Sequence, residues 1–212
     1  MHSAPTSDRS ITRMSRPLRS WRLPLIASAA AWLLAGGMMT SSALAAEFTR
    51  IDTVASQISF HYTQMGVGMD GHFSSFTADI RFDPARPETA RAVLQLELSS
   101  IDTGSTEANS EVKAPTWFDT AKHPKAHFEA SSIKALGGNR YEAAGTLTIK
   151  GRSRPVTAPF TFTPQGRTAV VDGSFVLKRG DFSIGEGEWA DYAIVGNEIR
   201  IGFKLHALQA LP

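Results

Sequence analysis

The sequence predicts an all-β protein: an eight-stranded antiparallel β-barrel with a short helical insertion, behind an N-terminal signal peptide. Three observations carry this. Apolar and polar residues alternate with period two along nearly all of residues 46–212, the mark of strands with one buried face. Turn signals divide those runs. One stretch only, Ser105–Pro124, breaks the alternation.

The N-terminus comes first. Arg9, Arg13, Arg16, Arg19 and Arg22 precede an apolar run from Leu23 to Met39, which ends in Ala43-Leu44-Ala45. A positive region, an apolar region and small residues before a cut site form the order of a secretory signal. Cleavage is expected after Ala45, with translation starting at Met1 or Met14, and the mature chain is placed in the periplasm. The alternative is an uncleaved anchor, but the run of about 17 residues is marginal for a span of roughly 20. The signal holds five of the basic residues. The whole chain carries a formal charge of +2, whereas residues 46–212 hold 17 basic and 19 acidic residues, net −2. The basic pI of about 9.0 therefore reflects export and not nucleic acid, for which no basic cluster or groove-reading motif remains.

Eight runs alternate in the remainder: Ile58–Tyr62, Phe76–Phe82, Leu94–Leu98, Ala126–Ala130, Tyr141–Ile149, Val156–Phe162, Val171–Leu177 and Ile199–Leu205. Asp83-Pro84, Gly137-Gly138-Asn139, Lys150-Gly151, Pro164-Gln165-Gly166 and Gly196-Asn197 separate them, the second and third as hairpin turns. In the insertion, Ser105 or Thr106 is placed to cap a short helix that Pro115 ends, and a second turn around Trp117–Lys122 ends at Pro124. Eight such strands in sequential order favour an up-and-down barrel, whose interior is either filled by side chains or holds one small ligand. Gly145, Gly173, Ala78, Ala130, Ala143 and Ala158 fall on the inward phase. They leave an elongated apolar cavity unless large residues opposite fill it.

Other chemistries find little support. With no cysteine there is no disulfide, thiolate metal site or thiol nucleophile. His61, His127 and His206 lie on outward phases and the remaining histidines are dispersed, so no metal site is expected. No nucleophile elbow or zinc-protease helix occurs, so no enzyme is expected. Gly185–Asp191 is glycine-rich and acidic, fits no phosphate-binding pattern, and reads as a mobile loop at a barrel end. No cofactor is expected.

Ile51-Asp52, Ile58-x-Phe60, Met65-Gly66-Val67, Gly71-x-Phe73 and Ile80-x-Phe82-Asp83-Pro84 stand in order along the first half. Ser100-Ile101-Asp102-Thr103-Gly104, Trp117-Phe118-Asp119 and His123-Pro124 follow, then Gly145-x-Leu147-Thr148-Ile149-Lys150-Gly151 and Lys178-Arg179-x-Asp181-Phe182-x-Ile184-Gly185. In this order and spacing the chain, from about Phe48 to Leu208, resembles the YceI-like family of secreted, lipocalin-like polyisoprenoid-binding proteins. Gln64, His123 and Ser183 depart from the family pattern without touching the alternation.

The resemblance implies an extended barrel around an apolar tunnel. Its ligand would be a polyprenyl lipid or isoprenoid quinone, bound for transport or storage. The competing readings are a carrier of another amphiphile, such as a fatty acid or amide, and a periplasmic stress-response or interaction module without lipid. Transient contact with a membrane or membrane protein fits a carrier; monomer and homodimer both stay open. The candidate tunnel lining is Phe60, Tyr62, Phe76, Ile80, Leu96, Phe128, Leu147, Phe160 and Phe175. Trp117, Phe118, Phe182 and Trp189 either line a mouth or anchor the insertion. The family pattern also implies a structural pairing of Arg179 with Asp181.

Overall fold

The computed structural model describes residues 47–210. The signal segment, its cut after Ala45 and the start at Met1 or Met14 lie outside the described residues. Ten strands form one antiparallel sheet: β1 (Phe48–Gln64), β2 (Val67–Phe73), β3 (Phe76–Arg81), β4 (Arg91–Glu97), β5 (Ile101–Asp102), β6 (Lys125–Gly137), β7 (Arg140–Ile149), β8 (Arg152–Gln165), β9 (Thr168–Lys178) and β10 (Glu198–Gln209). A single described α-helix, α1 (Thr106–Glu111), follows β5.

The count of eight strands is therefore corrected to ten. Each of the eight alternating runs marks a strand, two of them running one residue past its end, at Phe82 and Leu98, and the two additional strands, β2 and β5, share a physical cause. β2 alternates Met69, Gly71 and Phe73, but a glycine stands where an apolar side chain would mark the inward phase. The Phe60 ring occupies the place a Cβ on Gly71 would take. β5 is two residues long and leaves no period to read.

β6 to β9 form consecutive hairpins, and β10, reached through the longer segment Arg179–Asn197, pairs with β9 and returns to pair with β1. The sheet order β3-β4-β6-β7-β8-β9-β10-β1-β2-β5 has β3 and β5 at its ends. Those ends are two halves of one bent hairpin. β2 bends into β3 at Ser74-Ser75, and β4 bends into β5 through the 3₁₀ turn Leu98–Ser100. The bend is stitched by Ser74 N–H to Ser100 O (3.2 Å) and Glu97 N–H to Ser75 O (3.0 Å). β1 pairs with β2 from Ile58↔Phe73 to Gln64↔Val67, and meets the chain beyond β3 again at the Phe48↔Phe82 bridge. Between those two points no ladder joins β1 to β3, so the sheet curls round and is stitched at both ends of β1 without the continuous closure of an ideal barrel.

β1 bulges within that interval. Asp52 pairs with His206 and Gln57 with Lys204, so four residues of β1 oppose one of β10. Asp52 Oδ1 accepts from Val54 N–H and Ala55 N–H, and the Ser56 hydroxyl accepts from His206 N–H, which leaves Val54 96% exposed.

Tight turns set the register. Lys150-Gly151 and Met65-Gly66 are two-residue hairpin loops in which both residues have positive φ, the type I′ geometry that matches strand twist. A bulge at Ser131 in β6 shifts the pairing from Ala130↔Gly145 to Ser132↔Ala144, which brings Ile133 onto the buried face after Ala126, Phe128 and Ala130.

Two features give measurable consequences. A Cβ on Gly145 would collide with Glu129 O and come within 2.7 Å of the Phe128 ring, both within the sheet. Gly145→Val is expected to lower stability by about 1–3 kcal/mol in chemical denaturation. Asp83, 3% exposed, accepts from Arg86 Nε (2.9 Å) and Ala85 N–H (2.9 Å). Those bonds, the Arg86 one foremost, hold its carboxyl below the ordinary carboxylate range. The unfolded chain regains the ordinary value, so this contribution is complete above about pH 4 and lost as pH falls through the lower folded value. Asp83→Asn should flatten the acid limb of stability measured against pH.

Candidate ligand tunnel

The curled sheet encloses two adjoining cavities. The wider, about 560 Å³, lies against α1 and the loops that follow β5 and β9. That volume falls in the usual range of about 300–1,000 Å³ for ligand sites. The narrower, about 190 Å³, lies between β1, β3, β4 and β6–β10. Ile58, Leu96, Ala126, Leu147, Phe175 and Ile201 line both, so the two cavities adjoin at a neck of apolar side chains and together make up the lumen.

The expected lining residues separate along this lumen. Phe60 and Tyr62 line the wide chamber; Leu96, Leu147 and Phe175 stand at the neck; Ile80, Phe128 and Phe160 line the narrow chamber. Phe76 does not reach the lumen: it follows the bend at Ser74-Ser75 and is buried in the core around it. Trp117, Phe118 and Trp189 line the wide chamber. Phe182 is 1% exposed and packs in the core without reaching the lumen, so it anchors the loop.

Whether small inward residues leave space has a divided answer. Ala143 and Ala158 do line the narrow chamber. At the glycines, aromatic rings take the room. Phe128 lies over Gly145, and the Phe203 ring and Phe160 Cβ crowd Gly173. A ring seated on a glycine in its own sheet puts its bulk beside the wall. Leu96, Phe128 and Phe175 are only half-buried although they face inward, because they border the lumen.

Polar groups gather at one end. Gln64, Thr103, Ser105, Glu107 and Glu111 line the wide chamber. The narrow chamber has only Arg91 and His127 among apolar residues. α1 is held at the wide end by local bonds. The Ser105 hydroxyl caps it by accepting from Ala108 N–H (3.3 Å), and Asn109 Oδ1 accepts from Thr103 N–H (2.7 Å) and the Thr103 hydroxyl (2.8 Å). Asp102 accepts from Gly104 N–H and from the Asn109 amide, which lowers its carboxyl pKa, and so fixes the turn before the helix. Burial pushes the pKa of the Tyr62 phenol up.

Arg179 was not anticipated as a member of this wall. It is 1% exposed and lines the wide chamber. Its Nη1 donates to Ile184 O (2.8 Å) and Gly185 O (2.9 Å), and its Nη2 to Trp189 O (2.7 Å) and Val195 O (2.8 Å). Its Nε is shared between Val195 O (3.3 Å) and Gly196 O (3.2 Å). The guanidinium sits 5.7 Å from the Trp117 ring centroid and 5.0 Å from that of Tyr192, within cation–π range. Burial lowers its pKa. Asp181 is exposed and forms no bond with it, so the expected pairing is corrected: carbonyls, not a carboxylate, satisfy Arg179.

Gly185–Asp191, expected as a mobile loop at a barrel end, is tied to the insertion by hydrogen bonds. Gly185 and Glu186 N–H groups both donate to Thr116 O (2.9 and 2.8 Å), Glu186 pairs with Lys150 (3.0 Å), and Trp189 Nε1 donates to Glu111 Oε1 (2.9 Å). The loop and the insertion are thus one wall, with the Trp117 and Trp189 rings 5.6 Å apart. Within it, Trp117 Nε1 is buried with no hydrogen-bond partner. Met69, Phe73, Ile101, Ala108 and Val112 also line this chamber. The alternation of Met69 and Phe73 about Gly71 was the one sequence signal that could have found part of that set.

These features define a class: an all-β domain in which a single curled sheet and one helical insertion enclose an apolar lumen. The YceI-like domain family matches residues 50–207, and the chain belongs to it. A UPF0312 protein of Ectopseudomonas mendocina is 28% identical over 164 residues, covering 73% of this chain and 85% of that one. The crystal structure of BcnA from Burkholderia cenocepacia is 39% identical and superposes with a TM-score of 0.72 over 74% of this chain and 99% of that one. A polyisoprenoid binding domain from Saccharophagus degradans, implicated in plant cell wall breakdown, shares the fold at a TM-score of 0.60 and 16% identity, covering 78% of this chain and 99% of that one.

Arg179 supplies the test of this wall. Arg179→Met leaves five backbone carbonyls without their donors, each a buried acceptor worth about 1–3 kcal/mol when unpaired. A loss of at least about 3 kcal/mol, or a fall of roughly 6–12 °C in Tm, is expected by calorimetry. Arg179→Lys should recover only part, because an ammonium has three donors in a compact head.

Proposed function

We propose that this protein binds an isoprenoid lipid, a polyprenyl chain or an isoprenoid quinone, within its lumen, and carries or stores it in the periplasm after export and removal of residues 1–45. The single observation that carries the reading is the pair of adjoining chambers with shared apolar walls and polar side chains gathered at one end. That is the shape and polarity of an amphiphile with a long apolar tail. The polyisoprenoid binding domain that shares the fold lends it support.

The physical role is solvation. A long prenyl chain cannot cross water unaided, and each methylene buried in an apolar wall contributes about 0.8 kcal/mol. A lumen of this kind needs no covalent chemistry, so the protein acts as a binding protein and not as an enzyme. Isoprenoids bear methyl branches at regular intervals, and the rings set on glycine along the wall leave room for such a chain. No cofactor takes part.

Protein purified from the periplasm, extracted with organic solvent and analysed by mass spectrometry, is expected to release a polyprenyl species. Release of a fatty acid or amide alone would reassign the ligand class, and a lipid-free protein would overturn the reading. Phe128→Asp and Leu147→Arg place a charge in the lumen and should abolish lipid retention while the circular dichroism stays that of a folded β-protein. N-terminal sequencing of the periplasmic protein should begin at Ala46.

A further inference from the structure

The lumen ends, away from α1, on a cluster of aromatic rings. Phe48 and Phe162 are each 1% exposed and meet edge to face at 4.9 Å; Phe82 lies 4.8 Å from Phe162 and 5.3 Å from Tyr141; Tyr141 stacks on Phe160 at 5.5 Å. Phe48 and Phe82 are also fastened by two backbone bonds, of 2.8 and 2.9 Å, which join β1 to the end of β3. The Tyr141 hydroxyl reaches Pro84 O (3.5 Å) and closes the cluster against the β3–β4 loop. These rings form a packed wall.

Immediately before that wall the bore is set by two small residues. Ala143 and Ala158 are direct cross-strand partners on β7 and β8, and both line the narrow chamber. The next pair toward the wall is Tyr141↔Phe160, and the next toward the neck is Gly145↔Val156. A larger side chain at either alanine would therefore enter the chamber between the ring wall and the neck.

We propose that the lipid lies tail first, its terminal isoprene unit against Phe82, Phe160 and Phe162, and that the Ala143–Ala158 pair with this ring wall sets the longest tail the protein accommodates. The inference rests on the lipid reading above. Its direction follows from polarity: carboxylates, hydroxyls and the Gln64 amide border the wide chamber, whereas the narrow one is apolar apart from Arg91 and His127. Polar head and apolar tail are thereby sorted to opposite ends.

The test is a series of all-trans prenols, from farnesol to solanesol, competed against a fluorescent apolar probe bound to the purified protein. Each isoprene unit that fits should raise affinity by more than about tenfold, up to a limiting length beyond which affinity stops rising. Ala143→Leu or Ala158→Leu should move that limit to a shorter prenol. Phe162→Ala should move it to a longer one, and it keeps the inference falsifiable if a leucine variant fails to fold. A limit that is the same in wild type and in every folded variant would overturn the inference and leave the lipid reading standing. A wild-type protein that binds no prenol at all would overturn both.

Discussion

A single buried cation holds the wide end of this protein together. Arg179 has no acidic partner, and its five N–H groups are consumed by carbonyls of Ile184, Gly185, Trp189, Val195 and Gly196. A guanidinium is one of the few side chains that can satisfy so many acceptors in one plane. The chain from Ser183 to Gly196 has little regular structure, and without such a hub its backbone carbonyls would need water. Water is what an apolar lumen must exclude. From this hub the loop reaches the insertion through Thr116 and Glu111, and so α1 is set across the end of the curled sheet.

The sheet itself solves a second problem, how to stay curled and apolar inside without collapsing. Large inward rings are seated on glycines of neighbouring strands: Phe60 on Gly71, Phe128 on Gly145, Phe203 on Gly173. Each ring gains close contact with backbone, which compensates for the missing side chain, and the glycine gives up volume that would otherwise push the ring inward. Dense packing is reserved for the aromatic end, where Phe48 and Phe162 are almost fully buried. The lumen is thus bounded by a hard wall at one end and a polar, hydrogen-bonded wall at the other.

Much of this was legible in the residues. Long alternating runs such as Tyr141–Ile149 and Ile199–Leu205 lie wholly inside strands, because a half-buried strand must alternate. The Ser105 cap and the Lys150-Gly151 hairpin were legible for the same local reason: one residue supplies the donor, acceptor or positive φ that its own turn requires. Strands β2 and β5 were hidden, since Gly71 has no side chain to show a phase and two residues make no period. Phe76 and Phe182 carry the right chemistry and the right phase or position for a lumen, yet a bend and a 3₁₀ turn place them in solid core.

Alternation and turn residues by themselves determined that this chain folds as an antiparallel β-protein with a capped helical insertion. Those properties depend on neighbours along the chain or two residues away. Only the tertiary structure decided that the sheet curls through a bent hairpin, that the lumen has two chambers, and that Arg179 turns to carbonyls instead of Asp181. Each of these depends on which surfaces meet across a gap in sequence. Whether an inward residue packs against a ring or faces a void is decided by its partner on another strand, and alternation records only which face it takes.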